Sequence, residues 1–453
     1  MNPIELRAAT GLAGLYALRM LGMFLILPVF AVYAGAMPGG NNHVLIGLAF
    51  GAFGLTQALL QLPMGMWSDR IGRKPVIYLG LVLFLLGSLI CALASNIGWL
   101  ILGRAVQGAG AISAAVTALL ADLTREENRT RAMAMIGGSI ATTFAVSLVL
   151  APKLASWIGL SGIFLLTAAL ALAAMLAVRF YIPQPLITRF HSDTETSRAR
   201  LPAVLRHPQL QRLNYGVFAL HAAQMAMFTV LPLILTKVGG IDIQHHWEVY
   251  LPVVLGGFVL MVPAVIYGEK KHHLKGVFVF SIALMLVAQI GMALWLPSLS
   301  SIVLWLVLYF VAFNILEATQ PSLISKIAPV DAKGTAMGVY NTCQSLSMFV
   351  GSALAGWLYH QWGSESVFAF CAVLMAVWLL LALGMQTPKP VKMQMFHIGE
   401  NWKGEPAALS AKLRQIDGVV EAVVLTEERV ALLKVLQDGW NEAGAKELIE
   451  ETN

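Results

Sequence analysis

Charge is what this chain has least of. Asp, Glu, Lys and Arg make up 12% of its 453 residues, against 58% hydrophobic residues and a mean hydropathy of +0.74. A soluble domain of this length needs far more charge on its surface, so the composition excludes one and predicts a polytopic membrane protein. Cysteine is also scarce. Cys91, Cys343 and Cys371 stand far apart within apolar segments, which gives neither a disulfide framework nor a metal site. No nucleophile–base constellation, phosphate-binding loop or cofactor motif is found in the chain. An enzyme and an ATP-driven pump are therefore not supported. The expectation is a protein with no cofactor, no metal and no nucleic-acid partner. Its expected surroundings are the lipid bilayer.

What the chain does have is apolar runs. Twelve are close to the roughly 20 residues that a bilayer needs: 10–33, 44–66, 75–95, 98–121, 131–151, 161–181, 211–236, 247–268, 276–295, 300–320, 334–357 and 366–386. Lipid leaves backbone groups no water to bond, so these runs are predicted as helices. A signal peptide ending at Ala34-Gly35-Ala36 is rejected, because the run before it is too long and contains Arg19. Lys153 and Lys237 are the only basic residues in the loops on one side, while Lys and Arg crowd the loops on the other. That asymmetry predicts a multi-pass protein of a bacterial inner membrane with both termini in the cytoplasm.

One short loop stands out between the second and third runs: Gly65-Met66-Trp67-Ser68-Asp69-Arg70-Ile71-Gly72-Arg73-Lys74. Its glycines permit a tight turn and close helix approach. Arg70, Arg73 and Lys74 mark a cytoplasmic face. Asp69 is expected near the start of the third helix, where the helix dipole favours an anion. A positive-inside loop explains the basic residues but not the fixed Gly-x-x-x-Asp-Arg-x-Gly-Arg-Lys spacing. The spacing resembles the signature of major facilitator superfamily transporters, as does Leu102-Gly103-Arg104-Ala105-Val106-Gln107-Gly108 in helix 4. The resemblance implies an all-α membrane protein of two six-helix halves, a monomer working by alternating access, with helices 1, 4, 7 and 10 lining a central cavity. It also implies a proton-transfer role for a helix 4 arginine at the position of Arg104. The family's antiporter signature in helix 5 ends in Gly-Pro, where this chain has Ala151-Pro152 with Gly137-Gly138 upstream.

The chain repeats itself. A shift of 204 residues lays Met23–Pro28 on Met227–Pro232, Ala132-Met133 on Ala336-Met337 and Arg129 on Lys333, which predicts two parallel halves. The expected divisions are a first half over 1–181, a cytoplasmic linker over 182–210, a second half over 211–387 and a C-terminal domain over 391–453. The second half lacks the opening signature, and His272-His273 at the equivalent place reads as a solvated pair. The tail reads as strand (Val391–Phe396), helix (Ala407–Gln415), strand (Val419–Leu425), turn at Glu427-Glu428, strand (Arg429–Val435) and helix (Asn441–Glu450). That order is a small α+β, ferredoxin-like βαββα domain. Without cysteine it is not expected to bind metal. Its acidic excess suits docking on the basic cytoplasmic loops.

Transport chemistry has to come from polar groups inside the spans, which are costly in lipid and face a partner or a cavity. Helix 1 carries Arg19 with Tyr16. Helix 4 carries Arg104 with Gln107. Helix 7 carries His221 with Gln224, and helix 2 carries Gln57 and Gln61. Helix 10 carries Asn314, Glu317 and Gln320 at spacings of three. Glu317 is the carboxylate deepest in a span, so it is the predicted proton-coupling residue, with His221 as its partner. Arg19 and Arg104 are expected to make the facing wall positive. The bland reading gives each of these groups a hydrogen bond to a neighbouring helix and nothing more. Asp69, Arg73, Asp122 and either Arg129 or Arg131 are expected to form a cytoplasmic charge cluster that favours the state closed to the cytoplasm. Three functions compete: a proton-coupled exporter of amphiphilic compounds, a proton-coupled importer of a polar nutrient, and a membrane sensor reading ligands through its tail.

Overall fold

Helix 1 (Pro3–Phe24) begins on a capping box, Asn2 and Glu5 each accepting the other's backbone N–H. It breaks before Pro28, whose ring cannot supply a helical N–H, and resumes as Phe30–Gly35. The equivalent Pro232 stays inside the continuous helix 7 (Pro208–Lys237). This computed structural model describes residues 1–184, 199–270, 273–386, 391–399, 402, 404–425, 430–436 and 439–452. His272 and the expected turn at Glu427-Glu428 lie outside the described residues.

Helix 2 (His43–Ile71) and helix 3 (Arg73–Ala92) are joined at Gly72, whose φ of 98° is a conformation that favours glycine. Helix 2 therefore runs five residues past its expected end at Met66. Asp69 lies in its last turn, not at the start of helix 3, and it is Arg73 that opens helix 3. Helix 4 is interrupted, as Ile97–Ala109 and Ser113–Leu123. Helices 5 and 6 share one run (Glu126–Phe180) that turns at Gly159, φ 66°. A short helix (Leu201–Arg206) with Val204 buried precedes helix 7, in the stretch expected to be a connector. Helices 8 (Trp247–Lys270), 9 (Leu274–Leu294), 10 (Leu299–Ile327), 11 (Lys333–Trp362) and 12 (Ser364–Leu383) complete the second half. Among the described residues nine helices are individually long and apolar enough to cross a membrane, one of them being the run that holds helices 5 and 6. Helices 1 and 11 bring the spans to twelve. Helix 11 is less apolar because Ser, Gly, Gln and Asn occupy much of it, and these small and polar residues are what pack it closely.

The two halves meet at one end. At the end away from the basic loops, a single apolar core joins Ile26, Phe30, Phe50, Phe144 and Leu148 of the first half to Phe228, Tyr250, Phe310 and Ala355 of the second. Helix 2 lies there against helix 11 with no room between them. A Cβ on Gly47 would come within 2.3 Å of Ser352 O, one on Gly54 within 2.5 Å of Ser345 O, and one on Gly356 within 2.4 Å of His43 O. At the basic end the large buried cluster of the first half, from Leu12 and Met64 to Val178 and Ile182, is drawn from that half alone. The molecule is sealed at one end and parted at the other.

After helix 12 come β1 (Val391–His397), a helix (Pro406–Leu413), β2 (Val419–Leu425), β3 (Val430–Leu436) and a last helix (Glu442–Thr452). The sheet order is β1-β3-β2, with β3 antiparallel to both neighbours. β3 is buried on both faces. Ala431, Leu433 and Val435 pack under the two helices. The alternate residues Val430 and Leu432 pack on Val330, in the turn between helices 10 and 11. Lys434 shares that second face and donates to Ala328 O at 3.1 Å. Glu421, its cross-strand neighbour, accepts from Val330 N at 3.4 Å. Burial pushes the Lys434 ammonium below its ordinary pKa, and the Glu421 charge draws it back. This contact has an apolar centre, with Lys434 and Glu421 beside it.

Candidate functional site

Helices 7, 10 and 11 bring three polar side chains together. His221 is 5% exposed, and its Nδ1 lies 3.1 Å from Val217 O, one turn back in helix 7. A carbonyl only accepts, so Nδ1 carries the proton and Nε2 bears the lone pair of the neutral ring. Glu317 of helix 10 places Oε2 3.3 Å from Nε2. That oxygen is buried without a hydrogen bond, so the 3.3 Å approach is a contact and not a formed bond. The rest of the Glu317 side chain is open, with 41% of its surface exposed. Gln344 of helix 11 reaches the same Nε2 with its amide nitrogen at 2.6 Å. Phe313 packs on the imidazole at 6.1 Å between ring centroids and stacks on Phe144 of helix 5. Tyr309 and Tyr340 are buried close enough for the Glu317 charge to act on them.

The arginines are elsewhere. Arg19 donates to Gly110 O at 2.9 Å, at the interruption of helix 4, and lies over the Phe84 ring. Tyr16 donates to Ser113 O on the far side of the same interruption. Arg104 bonds Gln107 and, at 3.4 Å, Phe50 O of helix 2, with Phe53 beneath it. Each is 2% exposed. Both guanidiniums bond backbone carbonyls and lie over aromatic rings within the first half. Asn314 is directed at helix 8, where a Cβ on Gly257 would touch its amide. Gln57 of helix 2 donates to Ser345 Oγ of helix 11 at 3.1 Å, crossing between the halves.

The loop signature makes a second constellation. Arg73 pairs with Asp69 and, at 3.2 Å, with the fully buried carboxylate of Asp122. It also bonds Ser68, whose hydroxyl donates to Gly65 O. Lys74 donates to Ile182 O at 2.8 Å, closing helix 3 against the end of helix 6. Arg129 is buried and reaches Ala121 O, whereas Arg70 and Arg131 are exposed. A Cβ on Gly65 would meet Ala114 of its own half. The cluster is therefore assembled inside the first half while the basic end is parted.

Sequence reasoning missed Gln344, Ser345 and Glu5. Glu5 accepts from the Arg125 backbone and guanidinium and from Asn128, and the Arg125 contact holds its carboxyl well below the usual carboxylate range. The Asn2-x-x-Glu5 capping-box spacing is the signal that would have found it. Gln344 leaves no comparable signal.

Twelve spans in two halves, parted at one end around a half-open carboxylate, define a secondary transporter. The Major Facilitator Superfamily sequence model matches residues 12–352 and 277–401, and the chain belongs to that family, whose members are transporters that need no cofactor. Among its relatives is the inner membrane transport protein YajR of Escherichia coli, 43% identical over 437 residues, covering 96% of this chain and 95% of YajR. Multidrug resistance protein 2 of Bacillus subtilis is 26% identical, over 75% of this chain and 85% of that protein. Among solved structures, a bacterial homologue of the human lysosomal transporter Spinster, inward-facing and unoccupied, overlays with a TM-score of 0.67 at 15% identity, covering 85% of this chain and 98% of that one. The protein is a multi-pass inner-membrane transporter of small molecules.

Proposed function

We propose that the protein exports amphiphilic or lipophilic compounds in exchange for protons, by alternating access, as a monomer with both termini in the cytoplasm. The observation that carries this reading is the Glu317–His221 contact: a carboxylate in a span, open on one side and 3.3 Å from an imidazole on the other. Such a pair binds and releases a proton where water reaches it and holds one where water is excluded. With the basic loops in the cytoplasm, the arrangement is open inward, and Glu317 faces the compartment into which an antiporter releases its proton. Phe313, Phe144, Tyr309 and Tyr340 around the pair favour an apolar substrate over a sugar, which needs many polar partners. The multidrug name of the Bacillus subtilis relative supports the same class.

The division at 181, 210, 387 and 391 into half, linker, half and domain belongs to this proposal, as does docking of the domain on the turn after helix 10. Gly65, Asp69, Arg73 and Asp122 are proposed as part of the cytoplasmic gate. Everted vesicles loaded with a pH-sensitive dye test the function. Amphiphilic cations are expected to draw protons out of acidified vesicles only when the protein is present. No proton movement with any lipophilic compound, and movement with a sugar, would overturn it.

A further inference from the structure

His221 Nε2 has two neighbours that need opposite things from it. The amide N–H of Gln344, at 2.6 Å, needs a lone pair to donate to. The carboxylate of Glu317, at 3.3 Å, needs a proton to accept. Val217 O fixes the proton on Nδ1, so Nε2 serves Gln344 when the ring is neutral and Glu317 when it is charged. It does not serve both, and in the arrangement observed Glu317 Oε2 is the atom left without a bond.

Gln344 also sits where the halves are joined. The next residue, Ser345, accepts from Gln57 of helix 2, and Ser345 O lies where a Cβ on Gly54 would need to be. A helix held this tightly transmits a displacement rather than absorbing it.

Resting on the proton-coupling reading above, we propose that Gln344 is a positioning residue that reports the protonation of the His221–Glu317 pair to the helix 2–helix 11 seam. Proton gain at Nε2 turns the imidazole toward Glu317, expels the Gln344 amide, and loosens helix 11 beside Ser345. The other titratable groups around the pair are Tyr309 of helix 10, Tyr340 of helix 11 and, beyond Tyr309, Cys371 of helix 12. Arg19 and Arg104 bond Gly110 O and Phe50 O within the first half.

The test uses the full chain in lipid vesicles, with spin labels on cysteines placed at Asn41 and Gln361, both exposed beyond the sealed seam. Label separation and the nitrogen NMR shifts of the His221 imidazole are followed from pH 5 to 9. In the otherwise wild-type protein the separation is expected to follow the imidazole titration, and Glu317→Gln, which removes the acceptor of the Nε2 proton, is expected to move both midpoints down. Gln344→Met removes the bond to the neutral ring. The titration should persist with its midpoint moved up by about half to one pH unit, while the separation stops responding to pH. Gln344→Glu, of the same shape, should hold the ring charged and fix the separation across the range. If the separation follows pH in Gln344→Met as it does in wild type, this inference is wrong while the proton-coupling reading stands. If the separation does not respond to pH in the wild-type protein this inference fails, and if the imidazole does not titrate either, both fail.

Discussion

Arg19 and Arg104 are buried charges whose work is to complete backbones. Arg19 supplies the hydrogen bond that Gly110 O loses where helix 4 is interrupted, and an orphaned buried carbonyl costs about 1–3 kcal/mol. Arg19→Met is therefore expected to lower thermal stability in detergent by about that amount and to leave the pH profile of transport unmoved. A shifted pH profile would place Arg19 in the proton path. Glu5 acts at the same scale, buried at the start of helix 1. Its carboxyl pKa is depressed in the folded protein, so its contribution is fully present above the ordinary carboxylate range and is lost as pH falls below it. Glu5→Gln should lower stability at pH 7 and bring it level with wild type in strong acid; an equal deficit at both would show that shape, not charge, is what Glu5 provides. At this scale the sequence makes Glu317 and His221 legible, because an ionisable group in a span is costly and so marks a site. It does not separate them from Arg19 and Arg104, which are costly for structural reasons. Gln344 is silent because a glutamine in a polar helix shows no chemistry until helix 11 is laid against helix 7.

Helices 2 and 11 are packed backbone to backbone. Their glycines allow a backbone approach that a methyl group would block, by 2.3 Å to Ser352 O at Gly47. Gly47→Ala is expected to force the sealed end apart and raise cysteine labelling there severalfold, with the protein still inserted; unchanged labelling would mean that the seam is not what holds this state. The Arg73 pairs with Asp69 and Asp122 tie helices 2, 3 and 4 within the first half. Asp69→Asn should favour the inward-open state, and unchanged cytoplasmic accessibility would remove the cluster from the gate. Most helix positions are legible from hydropathy, since lipid demands a fixed apolar length. The end of helix 2 is not. Ser68 and Asp69 look like loop residues, yet they stay helical, Ser68 donating to Gly65 O and Asp69 accepting from Arg73.

For the molecule as a whole, the tail's strands and helices are legible from alternation, but the seat of β3 on the turn after helix 10 is not. Its apolar run reads as one buried face, and only the assembled chain shows what covers the other. Truncation after Pro388 should leave an inserted transporter, and Lys434→Ala should expose the tail to protease without unfolding the helices; loss of the whole protein from the membrane would refute a separable module. The central claim is that Glu317 exchanges the proton that drives export. It is tested most directly in vesicles containing the full-length Glu317→Gln variant, which keeps the shape of the side chain and removes its titration. Gradient-driven transport of an amphiphilic cation should be lost, while binding of the same cation is retained within about threefold. Gradient-driven accumulation equal to wild type would contradict the account.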